Sequence, residues 1–184
     1  MTPIYVPDTS AFLKRYFEEV GSARVDWLFN EARQGALEIC LIPVVQYEAT
    51  ARLKRVENAI RNRSTAKLPA LRLASSGQTQ SVSHLRRAYT LLKHSVERDL
   101  QMCKPLERYF RELPLELHLF KYNERIVELI HKHSVGVNDA AILVCLSELV
   151  SCPTVSGGSV YFMCADEQLR KAAATIAALQ IESL

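Results

Sequence analysis

The sequence predicts an α/β protein built on a parallel sheet with helices packed on its faces. Two observations carry that expectation. Short apolar runs bounded by Gly or Pro alternate with longer segments of helical periodicity, which is the pattern of β-α-β crossovers. An arrangement of apolar run, acid and helix stands near the start, at Ile4-Tyr5-Val6-Pro7-Asp8, and recurs near the end, at Val160-Tyr161-Phe162-Met163-Cys164 followed by Ala165-Asp166-Glu167. Composition agrees with a folded domain: 184 residues, 48% hydrophobic and 23% charged, suffice for one sizeable core. The chain, 1–184, is therefore read as a single domain.

In chain order, Ile4 to Pro7 is the first strand and delivers Asp8. Ser10 to Phe17 alternates apolar and basic residues as a short helix would, then breaks at Glu18-Glu19-Val20-Gly21. Ser22 restarts a helix through Ala23, Val25, Trp27, Leu28 and Ala32, and Gly35 suits its left-handed end. Leu37 to Ile42 is the second strand. Pro43 fits the first turn of the next helix, which runs to about Ile60 with Glu48 in its opening turns. Arg61 to Ser83 is basic and then polar, as a loop is. Leu85, Tyr89, Leu92, Val96 and Leu100 recur every three or four residues, predicting a helix from His84 to Cys103 that ends or kinks at Lys104-Pro105. Leu106 to Leu119, interrupted by Pro114, reads as irregular or short helices, and Asn123 to His133 as helix. Val135 to Asp139 precedes the most apolar helix, Ala140 to Leu146, which Asn138 or Asp139 can cap. A turn at Ser156 to Ser159 leads into the third strand, Val160 to Cys164. Leu169 to Ala178 is a helix, and Leu179 to Glu182 is a candidate last strand.

Five cysteines, Cys40, Cys103, Cys145, Cys152 and Cys164, form no C-x-x-C pair and read as reduced packing residues. His131 and His133 are too close for a helical i, i+4 pair, and no H-E-x-x-H is present, so zinc chemistry is disfavoured. No run reaches the roughly 20 apolar residues of a membrane span. The start lacks a basic stretch followed by an apolar segment, so a cytoplasmic protein without membrane contact is expected. The net charge of +3 is unevenly spread: Ala49 to Arg98 holds eleven Lys or Arg against two acids, the remainder twelve against eighteen. Such asymmetry fits either a polyanionic partner or a solvated helical face.

Asp8, Glu48, Asp139 and Asp166 each stand at a strand exit or in the opening turns of a helix. Singly, each is explained as a helix cap or by the helix dipole. Four such acids in a parallel α/β arrangement could converge on one crevice, raising each other's pKa unless a cation joins them. Oxygen ligands of this kind select Mg²⁺ or Mn²⁺.

Val6-Pro7-Asp8-Thr9-Ser10, the Glu48 helix, Asn138-Asp139-Ala140-Ala141 and Cys164-Ala165-Asp166-Glu167-Gln168-Leu169, in this order and spacing, resemble the PIN-domain nucleases. The helix holding Glu48 departs from the family pattern, opening with Pro43 and two valines in place of a Ser or Thr cap. The resemblance implies a three-layer α/β/α sandwich with a parallel sheet of four or five strands. It implies an endoribonuclease that cleaves single-stranded, or structured, RNA by water activated on Mg²⁺ or Mn²⁺, leaving 5′-phosphate and 3′-hydroxyl ends. Asp8, Asp139 and Asp166 would hold the metal, with Glu48 completing the set directly or through water. Ser10 and Thr9 would hydrogen-bond Asp8 or a phosphate. Arg52, Lys54, Arg55, Arg61 and Arg63 of the basic stretch would contact the RNA backbone. Many relatives are toxins of VapBC toxin–antitoxin pairs, so a VapC-like toxin, a small antitoxin protein as partner and a homodimer are expected. Relative to a compact toxin the chain is longer, and residues 61–119 are read as a helical and loop insertion.

Two other readings compete. A catalytically silent module of the same fold would bind RNA or protein while its acids cap helices. A phosphohydrolase forming an aspartyl-phosphate on Asp8 would resemble the haloacid dehalogenases, whose pattern places a second Asp where this chain has Ser10.

Overall fold

The structure is a computed structural model that describes residues 2–64, 82–109, 123–155 and 158–184. The chain is a three-layer α/β/α sandwich around an all-parallel five-stranded sheet. Its elements are β1 (Ile4–Pro7), α1 (Thr9–Leu13), α2 (Ser22–Arg33), β2 (Glu38–Leu41), α3 (Pro43–Arg61), α4 (Val82–Met102), β3 (Lys104–Pro105), α5 (Asn123–His133), α6 (Val137–Ser151), β4 (Val160–Cys164), α7 (Glu167–Ala173) and β5 (Leu179–Ser183). A 3₁₀ turn, Leu106–Tyr109, follows β3. Among the described residues no single helix is long and apolar enough to cross a membrane.

The strand order is β3-β2-β1-β4-β5. The chain therefore builds outward from β1 in one direction, then returns to β1's other side with β4. That reversal creates a crevice at the carboxyl ends of β1 and β4, the place where parallel α/β folds bind ligands. Register fixes the two exits side by side: Tyr5 lies opposite Tyr161, with rings stacked at 4.6 Å, and Pro7 lies opposite Met163. The Asp8 N–H still donates to the Met163 carbonyl at 2.9 Å, so Asp8 is the last residue tied to the sheet.

Helix placement follows from which faces are apolar. α6 is buried nearly all round through Ala140, Ile142, Leu143, Val144, Leu146 and Leu149, as a uniformly apolar helix must be. α3 buries Val45, Ala49, Leu53, Val56 and Ile60 at spacings of three and four. On α4 the fully buried line is Leu85, Ala88, Leu92 and Val96, with Tyr89 and Leu100 only half-buried. The next position on that line is Asp99, which the packing carries to 0% exposure. It is satisfied there by Arg15 Nε at 2.5 Å, Arg33 at 2.5 Å and the Tyr16 hydroxyl at 3.0 Å. Arg15 also donates to Asp26 at 2.7 Å. This network ties α4 to α2 and to the segment after α1.

Several boundaries differ from those the sequence predicts. The helix expected from Ser10 to Phe17 ends at Leu13, and the chain turns so that Tyr16 and Phe17 enter the core. The cap of α6 is Gly136, which places Asp139 inside the first turn instead of at its mouth. α7 stops at Ala173, because β5 must begin at Leu179 opposite Val160 and the chain reverses in between through Ala178 at φ 65°. Lys104-Pro105 ends α4 but also forms the edge strand β3 on β2, where Pro is tolerated because its outer side needs no N–H.

Of residues 61–119, the described stretch 82–109 contributes Leu85, Ala88, Leu92, Val96, Cys103, Leu106 and Tyr109 to the common core. The rest of the expected loop, 65–81, most of the irregular stretch, 110–119, and residues 156–157 of the expected turn lie outside the described residues. All five cysteines are free thiols, four of them buried.

Gly21 opens α2 at φ 89°, a conformation other residues resist, and a Cβ there would stand 3.1 Å from the Leu184 backbone. Gly21→Ala is expected to lower stability by about 1 kcal/mol or more, measured by urea unfolding.

Candidate active site

Each of the four acids reaches the crevice by a different local route. Asp8 leaves β1, is 4% exposed, and caps α1 by accepting the Ala11 N–H at 2.5 Å. Asp166 follows β4, lies at the exposed rim, and caps α7 by accepting the Leu169 N–H at 2.7 Å. Asp139, half-buried in the first turn of α6, accepts from the Gly136 N–H at 3.4 Å. Glu48 sits in the second turn of α3, whose Pro43 occupies the first helical position behind the uncapped Ile42.

The cap interactions expected of Asp and the placement at a common crevice are thus both present. What distinguishes this set from unrelated caps is mutual electrostatics. Burial pushes the Asp8 carboxyl above its ordinary value, the Ala11 N–H and Cys164 thiol oppose that, and the charges of Asp139 and Asp166 add to it. Burial also raises Asp139, against the Gly136 N–H, with Asp166 and Glu48 raising it further. Asp139 therefore senses both Glu48 and Asp166, and Asp8 senses Asp139 and Asp166. Among the described residues, no Lys or Arg is one of the leading influences on either carboxyl.

Glu48 is held by two donors from two other elements. Thr9 Oγ1 donates to Oε2, and Asn138 Nδ2 donates to Oε1 at 2.5 Å. Thr9 thus serves Glu48, not Asp8, because α1 packs on α3 and turns the residue after Asp8 toward the neighbouring helix. Ser10 is exposed, and its hydroxyl makes no hydrogen bond among the described residues. Asn138, read from the sequence as a helix cap, instead fastens the start of α6 to α3. Cys164 is a neighbour that sequence reading treated only as packing. Burial, Asp8's charge and the hydrogen bond to Asp8 push its thiol up, so it remains a protonated donor to that carboxylate. Parallel pairing of β1 with β4 is what brings it there, and no local pattern signals it.

Among the described residues no group of three or more His, Cys, Asp or Glu side chains is arranged to hold a metal ion as it stands. The carboxylates influence one another without forming a cage. Their chemistry nevertheless suits a hard divalent cation: the donors are all oxygen, and none is ion-paired to a basic side chain among the described residues. Asp139 and Asp166 each commit one carboxylate oxygen to a backbone N–H, and the other accepts nothing from the described residues.

Arg52, Lys54, Arg55, Arg61 and Arg63 are all exposed, the first four on α3 and Arg63 just beyond it. Lys54 and Arg61 share the Glu57 carboxylate at 2.8 Å and 3.1 Å. Arg52, Arg55 and Arg63 make no ion pair among the described residues. No protein-family model matches this chain, and no curated protein matches it.

Proposed function

We propose that the chain is a PIN-like, VapC-like endoribonuclease that cleaves single-stranded RNA with Mg²⁺ or Mn²⁺ held by Asp8, Asp139, Asp166 and Glu48. The observation that carries this reading is the meeting of four acids at the carboxyl ends of β1 and β4, where burial and, after it, neighbouring carboxylates push up both Asp8 and Asp139, and where none of the four is ion-paired to a Lys or Arg among the described residues. When bound, such an ion lowers the pKa of water and polarises a phosphoryl oxygen. The protein's part is positional. The Ala11 and Leu169 N–H groups orient Asp8 and Asp166, and Thr9 and Asn138 hold Glu48 between α1 and α6. The exposed cations of α3 bind the phosphate backbone, so affinity falls steeply with salt. We further propose a cytoplasmic homodimer that acts as a toxin, arresting growth when expressed alone and relieved by a small antitoxin.

The test is hydrolysis of single-stranded RNA in Mg²⁺ or Mn²⁺. Wild type should cleave, excess EDTA should stop it, and folded Asp139→Asn and Asp166→Asn should lose at least about 100-fold, since several kcal/mol of charge stabilisation depend on the ion. Equal activity in the variants, or activity that survives EDTA, sinks the reading.

A second reading rests on a specific observation. Asp8, Asp139 and Asp166 all accept backbone N–H groups at helix starts, and the side chains do not form a cage. A silent RNA- or protein-binding module of this fold would use them in that way alone. It predicts salt-sensitive binding with no turnover in any divalent metal.

A further inference from the structure

Large apolar side chains exposed singly need no explanation, but two of them flank the acids. Tyr47, the residue before Glu48, is 75% exposed, and Val137, the residue before Asn138, is 64% exposed. The Asn138–Glu48 hydrogen bond of 2.5 Å joins their chain neighbours, which brings the two helix starts together beside the acids. Tyr47 makes no hydrogen bond among the described residues, and its ring is open to solvent.

The surface that leads away from these helix starts is basic. Arg52 and Arg55 stand four and seven residues beyond Glu48, one and two turns along the same side of α3. Both are exposed and unpaired among the described residues. Tyr47 faces the adjacent side, seven residues before Lys54, whose charge is partly spent on Glu57 at 2.8 Å. From Tyr47 to Arg55 the helix advances about 12 Å, the length of roughly two nucleotides of extended strand.

We propose that Tyr47, with Val137 at the neighbouring helix start, is a base-stacking platform at the mouth of the acidic crevice, and that Arg52 and Arg55 take the phosphates of the same single strand along α3. The inference rests on the nuclease reading for the direction of the strand, since it places the scissile phosphate among the acids. It goes further in naming the contact that selects unpaired nucleic acid. A duplex hides its base faces, whereas an isolated aromatic ring among cations offers a stacking surface to any unpaired base. A protein partner would be better served by a contiguous apolar patch, whereas the surface next along α3 carries the exposed cations Arg52 and Arg55.

The experiment measures binding of a fluorescent single-stranded RNA by anisotropy, in the Asp139→Asn background so that the probe stays intact, with a blunt RNA duplex of the same sequence in parallel. Tyr47→Ala should weaken single-strand binding by about 5- to 150-fold, the range for losing one stacked base. Tyr47→Phe should stay within about twofold of the parent, because its ring is kept. Duplex binding should not change with either. Arg52→Ala with Arg55→Ala should flatten the salt dependence by about 1.4 in log–log slope, two lost contacts at about 0.7 each. Unchanged single-strand affinity in Tyr47→Ala, or an equal loss on the duplex, overturns the proposal, even if the wild type proves to be a metal-dependent nuclease. Loss confined to the single strand supports it, even if no metal gives turnover and the nuclease reading falls.

Discussion

Asp8→Asn is expected to lower metal-dependent RNA cleavage by about 1,000-fold or more while raising the melting temperature of the metal-free protein. The two effects have one cause. Asp8 is buried beside like charges, and its folded-state pKa lies above the unfolded value. Between those two pKa values the folded state holds more protons than the unfolded one, so stability falls as pH rises through that window. Above the folded-state pKa both states are ionised, and the loss is fully present.

Asparagine removes the charge, yet its side-chain oxygen can still accept the Ala11 N–H that caps α1. A gain of about 1 kcal/mol, the scale of single stabilising substitutions, corresponds to roughly 2–4 °C for a domain of this size. Mg²⁺ at about 100 times its dissociation constant should add about 2.7 kcal/mol to the wild type and much less to the variant. Calorimetry with and without Mg²⁺, beside the cleavage assay, reads all three effects. A variant that melts lower and cleaves normally would make Asp8 a cap and nothing more.

Asp99→Ala carries the largest expected loss of stability. The carboxylate is wholly buried and receives Arg15, Arg33 and the Tyr16 hydroxyl at 2.5, 2.5 and 3.0 Å. Truncation leaves the Arg15 guanidinium, whose side chain is 13% exposed, without its inner partner. Breaking a buried pair in this way costs about 3–5 kcal/mol. Burial and Asp99 together push the Tyr16 hydroxyl far up, so it remains a donor and would also be stranded. Asp26, at 2.7 Å from Arg15, retains part of the charge compensation, which favours the lower half of that range. Urea unfolding of the variant measures it; a loss below about 1 kcal/mol, the worth of an exposed pair, would show that the network adds little.

These two residues mark the boundary between what the chain announces and what it conceals. Asp8 and Asp166 are legible because each follows an apolar strand and precedes a helix, and because the pattern occurs twice. Glu48 and Asp139 are legible as acids in opening helical turns. Asp99 is not, because the spacing Leu85, Leu92, Val96 fits more than one centre for the buried line, and only the tertiary placement of α4 beside α2 and the segment after α1 turns Asp99 inward. β3 is illegible for a related reason. Two residues ending in Pro have no periodicity, and they become a strand only because β2 offers them a free edge.

By itself the sequence determined the parallel α/β class, the apolar α6 and the four acids at element ends, since each depends on local periodicity or on the chemistry of one chain reversal. Tertiary structure alone decided that β4 returns beside β1, and with it that Asp8, Cys164 and Asp166 share a crevice. It also decided that Thr9 and Asn138 close on Glu48 and that Tyr47 stays in solvent. The physical reason is that strand order, register and helix rotation are set by contacts between distant segments, which no local window of residues contains.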